Sequence, residues 1–195
     1  MISTAETHMN ESLPHLVADA ESIALEARRT FGGLSATQLN WKPGADAWSV
    51  AQCFDHLIRI NSTYFPALRR IQEKGHTPGW RDRVPFLSRL IGSLVLKAVE
   101  PGAPRKFKAA AHVTPATSAI DERIIERFVT HQQEVIRHLK QTAERGDLGG
   151  MVIVSPVASA AFYSVLDAFR IVVAHERRHM EQAGRVIRAA GFPAG

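Results

Sequence analysis

Apolar residues recur three or four positions apart through three long stretches of the chain and through a fourth interrupted by a proline, and no stretch sustains an alternation of two. That periodicity marks amphipathic helices, so the chain reads as all-α. The first helix is predicted over Thr4 to Thr30, with Leu13, Leu16, Ala20, Ile23, Ala27 and Phe31 on one stripe and Gly32-Gly33 ending it. Pro14 falls inside this span and marks the first turns as a separable piece. The second helix has a sharp start. Ser49 and Gln52 spell a capping box, and Trp48 and Cys53 occupy the two positions of a hydrophobic staple. Val50, Phe54, Leu57, Ile58, Tyr64, Phe65 and Leu68 face inward, and Pro66 should kink or shorten the helix.

The third helix is expected to begin near Thr114 to Ser118, to keep Ile120, Ile124, Phe128, Val135 and Leu139 on one face, and to stop at Gly146. The fourth should begin after Pro156 and reach about Ala190, through Val165, Phe169, Val172, Ala183 and Val186. Between the second and third, residues 75 to 115 hold nine of the chain's 13 glycines and 10 prolines taken together, which reads as a long connector with at most a short helix near Phe86 to Val99. Four long helices predict a four-helix bundle, with the 195 residues forming one domain. The connector is long enough to cross the bundle and let the second and third helices run parallel.

Composition narrows the chemistry. Nine histidines stand against one cysteine, which excludes an internal disulfide and a multi-cysteine zinc cluster and leaves imidazole and oxygen as metal ligands. A chain of this length builds a full core without a metal, so any metal would be functional rather than structural. The net charge of +5 and a pI of about 9.8 permit anionic partners. The basic groups at Arg69-Arg70, Arg81/Arg83, Arg105-Lys106-Lys108 and Arg177-Arg178 are scattered and lack interleaved aromatics, which argues against nucleic acid as a partner. They read as solvated faces, with Arg105, Lys106 and Lys108 also able to guide an anionic substrate. The first ten residues lack a signal-peptide pattern, and the most apolar run, Val84 to Val99, is broken by Arg89 and Lys97 and is shorter than a membrane span. The expectation is a cytoplasmic, soluble protein with no membrane partner.

The sharpest motif is His175-Glu176-Arg-Arg-His179, which places two imidazoles one turn apart on one helix face, in register with the apolar stripe. Buried histidines need hydrogen-bond partners or a metal. A third ligand should come from a neighbouring helix, with His56, His131 and His138 as candidates that spacing alone does not separate. The same five residues match the H-E-x-x-H pattern of zinc peptidases, with Glu176 as general base, but no His or Glu follows Glu181 to complete that ligand set. The ordinary reading of Glu176 is a solvated helix residue that points outward. Cys53, in its staple position, reads as core packing rather than as a ligand.

The run from Leu39 through Trp48-Ser49 to His56-Leu57, and the later His175…His179…Gln182, resemble the paired signatures of the DinB-like superfamily, whose YfiT-like members are described as metal-dependent hydrolases. The resemblance spans essentially the whole chain. It implies an all-α four-helix bundle of up-down-down-up order, with a divalent metal, zinc or nickel, on His56, His175 and His179. It also implies a small-molecule substrate, with either water or a low-molecular-weight thiol such as bacillithiol or mycothiol activated at an open coordination position, and a homodimer. Gln182 would orient a ligand or bound group from the side of His179. The competing readings are a non-catalytic helical binding or stress-response module, in which the histidines are core, and a peptidase-like hydrolase using Glu176.

Overall fold

A computed structural model describes residues 4–103, 111–116 and 119–194; Arg105, Lys106 and Lys108 lie outside the described residues. Helix α1 (Thr4–Phe31) runs unbroken through Pro14, which sits on the exposed side, while the buried face is built by Leu16, Ala20, Ile23, Ala27 and Phe31. A short helix, α2 (Ala36–Asn40), follows the double glycine under its own capping box from Ser35 and Gln38.

The second predicted helix is two. Helix α3 (Val50–Ser62) starts at the Ser49 box as expected, with Ser49 Oγ accepting from the Gln52 amide and Gln52 Oε1 accepting from that of Ser49, both at 3.1 Å. Helix α4 (Phe65–Lys74) restarts after a two-residue break, with Pro66 in its first turn, where a missing N–H costs nothing. The connector carries a single turn (Arg81–Arg83), helix α5 (Pro85–Val99) and a second single turn (Ala111–Val113).

Helix α6 (Ile124–Ala143) begins later than its apolar stripe suggested. The lead-in holding Ile120 is instead an irregular segment clasped by Asn40, whose side chain donates to the Ile120 carbonyl at 2.9 Å and accepts from its amide at 2.8 Å. Helix α7 (Val165–Ile187) also starts late, because the residues after Gly150 form a small antiparallel hairpin, β1 (Val152–Val154) with β2 (Phe162–Ser164), in which Ile153 pairs with Tyr163.

Helices α1, α6, α3 and α7 pack in that cyclic order, each against the next, and α5 lies along α7. Aromatic edges lock the shared core: Phe54 meets Phe31 at 5.4 Å and Phe128 at 5.0 Å between ring centroids. The approach of α5 to α7 depends on Gly92, where a Cβ would stand 2.9 Å from an Asp167 carboxylate oxygen. Helices α3 and α7 run antiparallel, since Asn61 meets Glu176 while His56, earlier in α3, meets the later His179. No helix among the described residues is long and apolar enough to cross a membrane.

Candidate metal centre

The site is assembled from two marked helix positions. The Ser49 cap fixes the start of α3 and hence the direction of His56, two turns on, which is 3% exposed. Three residues of this same face grip one loop. Gln52 Nε2 donates to the Ala116 carbonyl at 2.9 Å, the Ala116 amide donates to Asp55 Oδ2 at 3.0 Å, and His56 Nδ1 donates to the Val113 carbonyl at 2.6 Å. A carbonyl can only accept, so the proton of neutral His56 belongs on Nδ1 and its Nε2 carries a lone pair.

Helix α7 brings the other two rings. His175 and His179, one turn apart, set their Nε2 atoms 3.1 Å from each other. Ring centroids lie 5.2 Å apart for His56 and His175, 4.8 Å for His56 and His179, and 4.5 Å for His175 and His179. One nitrogen from each ring falls within 4.8 Å of the other two. Burial pushes His175 down to about 3, helped by His56 and Arg178, and pushes His179 well below its ordinary value, helped by His175, His56 and Arg178. Burial also lowers His56, against the opposing pull of the Val113 carbonyl and Asp55. All three rings are therefore neutral near pH 7. Two neutral Nε2 atoms at 3.1 Å either share one proton or turn two lone pairs toward a cation. Three imidazole nitrogens suit a borderline transition ion. The residues present fit the metal that the sequence implied.

Trp48 completes the site. Its indole stacks on His179 at 5.5 Å with planes 16° apart, and tilts against His56 at 4.9 Å. From sequence it is a staple residue beside the helix start; its packing against two ligand candidates depends on α7 and is not readable locally. The Val113 carbonyl was likewise invisible, being backbone from a distant loop. Gln182 approaches His179 and opposes the lowering of its pKa, although the buried His179 Nδ1 has no hydrogen bond of good geometry. Cys53 is 1% exposed and its thiol is pushed up to about 12 by burial, which fits core packing.

The other candidate histidines are elsewhere. His131 sits on α6 against Phe65, with ring centroids 5.2 Å apart, and His138 lies against the same ring at 4.4 Å and bonds Gln72. Glu176 is not a solvated residue. It is fully buried, with Asn61 Nδ2 donating to Oε1 at 2.7 Å and Gln132 Nε2 donating to Oε2 at 2.9 Å, and burial raises its pKa to about 8 despite both amides. A carboxyl held so near neutral pH offers one O–H. Turning either amide over would let its oxygen, Asn61 Oδ1 or Gln132 Oε1, now without a partner, accept that proton.

Neither a curated protein nor a solved structure matches the chain. The family model described as the DinB superfamily, DinB_2, matches residues 25–183, a span that contains the capped start of α3, all three clustered histidines and Gln182. The chain belongs to the DinB superfamily.

Proposed function

We propose that the chain is a metal-dependent enzyme acting on a small molecule, either a hydrolase or a transferase that uses a low-molecular-weight thiol, with His56, His175 and His179 holding a divalent zinc or nickel ion. The observation that carries this reading is the convergence of three neutral imidazoles, those of His56 and His179 buried and that of His175 half-buried. When bound, such an ion supplies Lewis acidity toward water or a thiol.

The remaining work falls to the chain's own groups. The Val113 carbonyl holds the proton of His56 at Nδ1 and leaves Nε2 free. Trp48 covers the rings of His56 and His179, excludes water from that side and limits their rotation. Gln182 positions His179 from one turn beyond it. Glu176 is turned into the helix core, with both oxygens engaged, and takes no proton from a substrate in this reading.

Elemental analysis of purified protein, before and after reconstitution with zinc or nickel, tests the site. Near-stoichiometric metal is expected in the wild type and in His131→Ala, and loss of it in His56→Ala, His175→Ala and His179→Ala. A wild type that retains no transition metal after reconstitution overturns the reading. Turnover of esters or amides without added thiol would mark a hydrolase, and turnover that requires a thiol would mark a transferase.

A further inference from the structure

Apart from Leu25 on α1, the large apolar side chains left exposed among the described residues are concentrated in one place. Trp80, Phe86, Leu87, Leu90 and Leu94 are 59%, 80%, 40%, 45% and 60% exposed, and all lie on α5 or the turn before it. Phe86, Leu90 and Leu94 follow one another at helical spacing along the outer side of α5, while Ser88 and Gly92 face inward and are buried. The close contact of Gly92 with Asp167 holds the inner side on α7, so the apolar row is a fixed ridge. Val154 extends it, because its strand partner Phe162 packs edge-on to Trp80 at 5.6 Å.

Along α5 itself the charged side chains are basic, and the exposed Glu100 follows only at its C-terminal cap. Arg83, Arg89 and Lys97 are exposed, and no acidic residue occurs between Arg83 and Val99. The Arg81 guanidinium lies over Trp80, 4.7 Å from the ring centroid. The carboxylate of Asp82 is turned inward to His76, Gly79 and Val152, and that of Asp167, under the inner side of α5, is engaged by Ser164 and Arg170.

We propose that this face is a peripheral docking surface for an anionic phospholipid bilayer. A spanning segment is a different structure, and its absence does not bear on surface contact. Protruding Phe and Leu side chains enter the acyl boundary, while Trp and the flanking cations remain at headgroup level, and anionic lipid adds attraction for each Lys or Arg near the surface. Shape and charge favour lipid over protein. The side chains of the row protrude, with Phe86 80% exposed, and two grooves on the described surface are lined by other segments. A second copy docked on the same face would set Arg83, Arg89 and Lys97 against their own counterparts, at a cost in like-charge repulsion. The proposal is independent of the metal site.

The test is co-sedimentation of the full chain with vesicles of phosphatidylcholine alone and of phosphatidylcholine mixed with phosphatidylglycerol. The wild type is expected to bind the anionic vesicles and not the neutral ones, and to be released at about 0.5 M salt. The pairs Phe86→Ser/Leu90→Ser and Arg89→Glu/Lys97→Glu should each lower partitioning by about tenfold or more. Both change exposed residues, so thermal unfolding of each pair should match the wild type and show that the loss is not misfolding. Failure of the wild type to bind anionic vesicles overturns the proposal, as does equal binding by both pairs. A stable dimer in sedimentation velocity that Phe86→Ser/Leu90→Ser abolishes also overturns it, since the ridge is then covered by a second copy.

Discussion

His131 offers a direct check on how burial sets protonation in this bundle. Its side chain is 6% exposed, Nε2 has no partner, and Nδ1 is 3.7 Å from Glu134, a half-exposed carboxylate that does little to support a charged ring. Burial lowers its pKa from 6.5 to about 4, with Glu134 opposing and His138 assisting. The folded state therefore prefers the neutral ring. The contribution of His131 to stability is fully present above pH 6.5 and is lost as pH falls toward 4. At about 1.36 kcal/mol per unit of pKa the full loss is about 3.4 kcal/mol, of which about 2 kcal/mol is expressed by about pH 5. The perturbation is His131→Leu, which removes the titration and also the unpartnered nitrogen, so stability at about pH 7.5 should change little. Urea unfolding followed by circular dichroism, at a series of pH values and with a chelator present, gives the difference between the two proteins. Titration of His56, His175 and His179 is common to both and cancels. The wild type should lose about 2 kcal/mol more than the variant on going to about pH 5, or roughly 4–8 °C in Tm for a chain of this size. Parallel pH curves for the two proteins would refute the reasoning.

Replacing the Ser49 cap by Ala should cost about 1 kcal/mol in thermal unfolding, because Ser49 Oγ accepts the Gln52 amide that no intrahelical carbonyl can take. Glu176 titrates in the opposite sense to His131. With its pKa raised from 4.5 to about 8 by burial, its contribution is fully present below pH 4.5 and is lost as pH rises through about 8; Glu176→Gln should flatten that slope in pH-dependent unfolding, and Glu176→Ala, which strands Asn61 and Gln132, should cost about 2 kcal/mol or more. Cys53, buried with its thiol pushed up to about 12, should resist alkylation at about pH 8 in the folded protein and react fully in denaturant, as read by mass spectrometry.

What was legible in the sequence was local. The Ser49 box needs four consecutive residues, and it appears where the letters put it. His175 and His179 share a face because helix geometry alone requires it. The third ring is another matter: His56 and His131 each lie on the apolar stripe of their own helix, and both are buried. A stripe says that a side chain faces inward, not which helix it meets there. The resemblance singled out His56, and the α3–α7 contact brings that ring to the pair. The hairpin was missed because two three-residue strands are too short to establish a period. Helix α5 was anticipated almost to its ends, yet its exposed ridge was not, since an apolar residue carries no mark of whether a neighbour covers it.

Glu176 shows how the same letters take different meanings in different surroundings. Successive helical residues are about 100° apart, so position 176 looks well away from the sector shared by His175 and His179. On a helix with a solvent side, that direction could lead to water or to an open cleft. Helix α7 packs against α1, α3 and α5, so few of its directions lead to water. The side chain of Glu176 instead enters the middle of the bundle, where Asn61 of α3 and Gln132 of α6 donate to it and Gln132 also reaches the Ala20 carbonyl of α1 at 3.3 Å. One polar group from each of the four packed helices thus meets at a single knot. A buried carboxyl without those amides would be too costly to retain, and the amides without the carboxyl would be left unsatisfied. The H-E-x-x-H spacing in this chain consequently divides between two faces: the histidines converge with His56 on one, and the glutamate joins the helices on the other.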